Sequence, residues 1–127
     1  MAVAATGLAS ALPSVLHANP AKSELPFKLA LSQFSLAGQF WTKQLDPLDF
    51  PKKTITTFGI PGLDYCSMFF ADKAKDNSFL NELKKRSADN GCFNLRIMID
   101  GEGVLGDLDK SIRAKAVENH YKWIDAA

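Results

Sequence analysis

The hydrophobic positions of the chain fall into three short runs separated by longer stretches of mixed character. The runs cover residues 27–36 (FKLALSQFSL), 63–70 (LDYCSMFF) and 92–99 (CFNLRIMI), and each contains few polar breaks. Short and nearly continuous apolar runs are typical of strands that are buried on both faces, and such strands belong to parallel sheets. The pattern therefore predicts three parallel strands.

Helix signals follow each of these runs. Side chains that can cap a helix mark the start of each predicted helix. They are Asp46 for the first, residues 76–78 (DNS) for the second, and Asp107 or Asp109 for the last. The last helix is predicted to bury one stripe of side chains, which consists of Ile112, Ala116, His120, Trp123 and Ile124. Because His120 falls in this apolar stripe, we interpret it as structural rather than catalytic.

Residues 1–18 differ from the rest of the chain. The first charged residue is Lys22, and residues 2–16 are almost wholly small or apolar. This length and texture are typical of the apolar part of a signal peptide and too short for a membrane-spanning helix. We interpret residues 1–18 as an export signal whose basic start lies upstream of Met1, which predicts an exported or periplasmic protein. The alternative is a weakly helical extension of a cytoplasmic protein.

A polar, proline-marked linker is predicted over residues 19–26, and the folded body begins near Phe27. Fifteen basic and fourteen acidic residues give a net charge of +1, which disfavours nucleic-acid binding by bulk electrostatics. The two cysteines, Cys66 and Cys92, are too few for a disulfide scaffold and do not form a CxxC pair. Composition therefore indicates an ordinary globular domain.

The predicted strands recur at a regular spacing. They start near Phe27, Leu63 and Cys92, which are 36 and 29 residues apart. A (β/α)₈ barrel of about 250 residues uses roughly 30 residues per unit. Three strands cannot close a barrel, so the chain is either a small open sheet covered by helices or the first three-eighths of a larger barrel.

Several segments resemble one family. They are residues 31–36 (LSQFSL), 46–51 (DPLDFP), 58–65 (FGIPGLDY), 94–103 (NLRIMIDGEG) and 113–123 (RAKAVENHYKW). Their order and spacing resemble the sugar phosphate isomerase/epimerase family, the xylose isomerase-like TIM barrels, over about residues 27–127. Asp64 stands where that family usually has Glu, which puts in doubt any substrate contact made by the longer acid.

This resemblance implies an α/β fold in which the chain is a (βα)₃ portion of a xylose isomerase-like TIM (β/α)₈ barrel, with parallel strands and the barrel incomplete. Members of the family bind a divalent metal ion through Glu, Asp and His residues on later strands and move a proton or hydride beside a sugar carbonyl. Those strands are missing here, so no catalytic residue or metal ligand is carried over. We expect an inactive fragment that binds no cofactor by itself.

Candidate substrate-binding residues lie where strands of a barrel present their carboxyl ends. They are Ser32 and Gln33 late in the first strand, Asp64 early in the second, and Asp100 and Glu102 after the third. The last two are carboxylates on a glycine-flanked turn, which can orient sugar hydroxyls or support a metal ligand, or can simply be a strand-end cap and a solvated side chain. The aromatic residues Trp41 and 68–70 (MFF) can line a sugar pocket or pack in the core.

Two functions follow for the whole protein. The first is a sugar phosphate isomerase/epimerase-like protein that acts on a carbohydrate-derived substrate. The alternative is a non-enzymatic (βα)₃ binding or interaction module that packs its open edge against a partner. If the chain is a fragment, the unpaired apolar strand at residues 92–99 predicts poor solubility or self-association in isolation.

Overall fold

A computed structural model describes residues 27–127, and these residues form a three-stranded parallel sheet with helices. The strands are β1 (Ala30–Ser32), β2 (Gly62–Cys66) and β3 (Phe93–Met98), in the order β1-β2-β3 with both pairs parallel. The predicted parallel α/β arrangement is confirmed at this level. The signal-like segment 1–18 and the linker 19–26 lie outside the described residues.

Two strands are shorter than predicted. The apolar run 27–36 yields only β1, after which the chain turns into a 3₁₀ helix (Gln33–Leu36) and α1 (Ala37–Trp41). Likewise the run 63–70 leaves the sheet at the end of β2 and continues as 3₁₀ turns (Ser67–Lys73). The predicted lengths of these two strands were wrong, because a buried helical segment is as apolar as a buried strand and the sequence pattern does not separate them.

The acidic caps are in place at all three helix starts. Asp46 accepts a hydrogen bond from the Leu48 amide at 2.8 Å, at a 3₁₀ turn (Pro47–Asp49) that leads into α2 (Phe50–Lys53) and a π-helical turn (Thr54–Phe58). Asp76 caps α3 (Asn77–Asp89), and Asp109 caps α4 (Lys110–Ala126) through the amides of its first turn. Each carboxylate satisfies amides that have no partner inside the helix.

The core lies between the sheet and the helices. Leu63 and Tyr65 point from β2 to this face, where the buried side chains include Phe50, Phe70, Leu83 and Trp123. The ring of Trp123 meets that of Phe70 edge-on, with 5.8 Å between centroids. Side chains alternate along a strand, so Asp64 and Cys66 point to the opposite face of the sheet.

Only β2 is buried throughout, so the expectation that all three strands are buried on both faces was wrong. β1 and β3 are partly exposed, because in residues 27–127 each has a neighbouring strand on one side only. The predicted stripe of α4 is confirmed at Ala116 and Trp123, whereas Ile112 and Ile124 are exposed. None of the helices in the described part of the chain is both long and apolar enough to cross a membrane.

Candidate functional site

The carboxyl ends of the three strands bring polar side chains together. Gln33 follows β1, Ser67 follows β2, and Asp100 follows β3 with one residue between. Gln33 is fully buried, and its Oε1 accepts a hydrogen bond from the Cys66 amide at 2.9 Å. Its Nε2 is buried and has no hydrogen-bond partner among residues 27–127. We call Gln33, Cys66, Ser67 and Asp100 the strand-end cluster.

Asp100 is the exposed member of the strand-end cluster. Its backbone N–H donates to Ser67 Oγ at 2.8 Å, and the Cys66 thiol lies 3.3 Å from its Oδ2. Burial, with a further contribution from the nearby Asp100 carboxylate, raises the pKa of Cys66 to about 11. Cys66 therefore stays protonated at neutral pH and donates a hydrogen bond to Asp100, instead of serving as a thiolate nucleophile.

A second polar group lies further along the sheet, on the face opposite the core. Asp64 pairs in register with Ser32 on β1 and Arg96 on β3. Arg96 binds both carboxylate oxygens, with Nε–Oδ1 at 2.9 Å and Nη2–Oδ2 at 2.6 Å. The Arg96 hydrogen bonds lower the pKa of Asp64, although burial opposes this shift. Ser32 and Asp64 are thus brought together with Arg96, in an open depression of about 400 Å³.

Glu102 contacts a different element from Asp100. Its Oε1 accepts a hydrogen bond from Trp123 Nε1 at 2.8 Å and forms an ion pair with Lys122 Nζ at 2.7 Å. The Lys122 interaction, followed by that of Trp123, lowers the pKa of Glu102. The two carboxylates of the glycine-flanked turn therefore point to separate partners, Asp100 to the end of β2 and Glu102 to α4.

Exposed aromatic rings follow the same strand ends. The rings of Phe34, Trp41 and Phe69 lie with centroids 6.1 to 6.4 Å apart. Trp41 is 64% exposed, and Phe34 is exposed as well. Phe70, by contrast, belongs to the core. We call Phe34, Trp41 and Phe69 the aromatic cluster. Phe34 and Trp41 are its exposed members, whereas Phe69 is half-buried and stacks on the buried Phe40 with 4.6 Å between ring centroids.

The described residues do not fit a divalent cation. Among residues 27–127 there is no group of three His, Cys, Asp or Glu side chains placed to hold a metal ion. Asp64 is paired with Arg96 and Glu102 with Lys122, so both carboxylates already have a cationic partner. What the arrangement offers instead is hydrogen bonding to hydroxyl groups, from Asp100 and its neighbours.

Sequence reasoning missed several members of these groups. Arg96 lies in the middle of a predicted strand, where only the strand register reveals that it meets Asp64. Cys66 and Ser67 were hidden because the predicted strand ran on to Phe70. Phe34 directly follows Gln33, and this position next to a predicted strand end was the sequence signal that could have identified it.

A scan of the chain against models of known protein families found no match, and a search of curated proteins found none with significant similarity. The likeness to the sugar phosphate isomerase/epimerase family therefore rests on the segments quoted above. Substrate-binding roles stay predictions for Ser32, Gln33, Asp64, Asp100 and Glu102.

Proposed function

We propose that this chain is part of a sugar phosphate isomerase/epimerase-like protein and that the carboxyl end of its sheet binds a carbohydrate-derived substrate. The observation that carries the proposal is that the strand-end cluster and the aromatic cluster occupy the same segments of the chain. Phe34 directly follows Gln33, and Phe69 lies two residues after Ser67. Sugars present hydroxyl groups and apolar ring faces, which need polar groups and aromatic rings respectively.

Asp100 is the residue that we assign to sugar hydroxyls. Its carboxylate is exposed, while the Cys66 thiol and Ser67 Oγ hold its side chain and backbone in place. The unpartnered Nε2 of Gln33 is a donor that a substrate oxygen can satisfy through a bridging water. Trp41 supplies an aromatic face.

These residues are assigned a binding role and no bond-making step. The divalent metal ion that the family resemblance implies has no fitting ligand group in residues 27–127. We accordingly propose that the chain by itself binds substrate without turnover.

Isothermal titration calorimetry with aldoses, ketoses and their phosphates tests the proposal. We expect one of these classes to bind, and Trp41→Ala to weaken its binding by about 5- to 10-fold, the loss typical of one aromatic contact. Tyr121→Ala is the matched control because Tyr121 is an exposed aromatic residue on α4, outside the aromatic cluster. The proposal fails if no sugar binds, or if both variants weaken binding equally.

An interaction module is the second candidate, and the exposed edge of β3 favours it. Leu95 on this edge is 64% exposed and lines a cleft of about 150 Å³ bounded by α3, β3 and α4. A strand edge with free backbone groups and an apolar side chain can pair with another chain. A protein of this kind would bind its partner at β3 and show no affinity for sugars.

A further inference from the structure

Two acidic residues attach the first part of the loop between β3 and α4 to the rest of the fold, while Arg113 of α4 holds its last part by donating to the carbonyls of Asp107 and Leu108. Asp100 holds its first part to the end of β2, through Cys66 and Ser67. Glu102, two residues later, holds it to α4. Both attachments start from the same short turn, in which only Gly101 separates the two residues.

The attachment at Glu102 uses one face of α4. Besides the contacts of its Oε1 with Trp123 and Lys122, its backbone oxygen accepts a hydrogen bond from Asn119 Nδ2 at 3.1 Å. The Glu102 side chain is only 12% exposed. A partly buried carboxylate requires its partners, because removing them leaves a charge with little solvent.

The backbone of this turn uses glycine at two positions. Gly101 and Gly103 flank Glu102 with φ of +79° and +107°, which glycine adopts without steric strain, but fixing a glycine in one conformation costs more chain entropy than fixing other residues. Gly103 packs so closely on α4 that a Cβ there would lie 3.0 Å from the Cβ of Ala116. The side-chain contacts of Glu102, the Asn119 hydrogen bond to its backbone oxygen and the packing of Gly103 on α4 together fix the turn.

We propose that Glu102 is a positioning residue, which anchors the turn on α4 and thereby holds Asp100 over Cys66 in a geometry that can bind ligand. Trp123 makes this anchor rigid, since its ring is packed in the core while its Nε1 reaches Glu102. The identity of the ligand rests on the proposed function, whereas the anchor itself does not.

The reactivity of the Cys66 thiol tests this role. In a Cys92→Ala background Cys66 is the only thiol of the chain, and it is fully buried beneath its contact with Asp100. We expect Glu102→Gln and Lys122→Gln each to raise its rate of modification by a disulfide reagent by about 10-fold, through local opening of the turn. Glu118→Gln is the matched control, because it removes an exposed ion pair with Lys115 on the same helix.

Sugar titration of the same variants separates the two proposals. Faster modification together with weaker sugar binding supports both. Faster modification in a protein that binds no sugar supports the anchor and refutes the proposed function alone. The inference is overturned if the Cys66 rate is unchanged in both Glu102→Gln and Lys122→Gln, or if Glu118→Gln raises it as much.

Discussion

Among single residues, Asp64 shows most clearly how the sheet accommodates charge. Its side chain is 8% exposed, on a strand that is buried throughout, and a carboxylate in such a place needs a cationic partner. Arg96 meets this need with a two-point interaction, which is stronger and more directional than a single contact. The ion pair also joins β2 to β3 on the face opposite the core.

We predict that Arg96→Met lowers the urea midpoint of unfolding at pH 7. Arg96 holds the pKa of Asp64 below its usual range, so the ion pair stabilises the fold at neutral pH and this contribution is lost as the pH falls through that pKa. The difference between wild type and variant should therefore shrink below about pH 4. Urea titrations of wild type and Arg96→Met at pH 7 and at pH 3 measure this difference in midpoint.

Lys85→Met is the control, since it removes an exposed ion pair with Asp89 and should leave the midpoint unchanged. A midpoint difference for Arg96→Met that stays constant from pH 7 to pH 3 would contradict the role given to Asp64.

At the scale of elements, local rules succeeded where the chemistry is local. Asp46 caps its helix as expected, and Asp76 and Asp109 are each among the caps expected for theirs, because an N-cap depends only on a side chain and the amides next to it. Strand length failed, because the end of β1 depends on Gln33 turning inward to reach the Cys66 amide, 33 residues away. The carboxyl-end rule still placed Gln33 and Asp100 in one cluster, while Arg96 required the register of β3.

The exposed edge of β3 leads to a prediction about association. Leu95 and the unpaired backbone of this strand should make the chain self-associate as its concentration rises. Leu95→Lys should shift the population toward monomer in sedimentation velocity, because a lysine on an edge strand opposes pairing. Val117→Lys, at an exposed position on α4, adds the same charge elsewhere. An equal shift in both variants would mean that net charge, and not the β3 edge, controls association.

In the whole molecule, one polar group lies at the carboxyl ends of the three strands and another, around Asp64 and Arg96, lies on the sheet face opposite the core. The strand-end cluster, the aromatic cluster and the anchored turn all follow the carboxyl ends of parallel strands, where ligands bind in open α/β sheets. The apolar surface of β3 lies along a different edge. Carbohydrate binding therefore predicts contacts at the carboxyl ends of the strands, whereas strand pairing predicts contacts along the edge of β3.

The most direct measurement is an amide chemical-shift map during titration with the sugar that binds in calorimetry. Binding at the carboxyl end predicts shifts concentrated at Phe34, Trp41, Ser67 and Asp100. Shifts confined to the edge of β3 around Leu95, or no shifts at any sugar concentration, would contradict it.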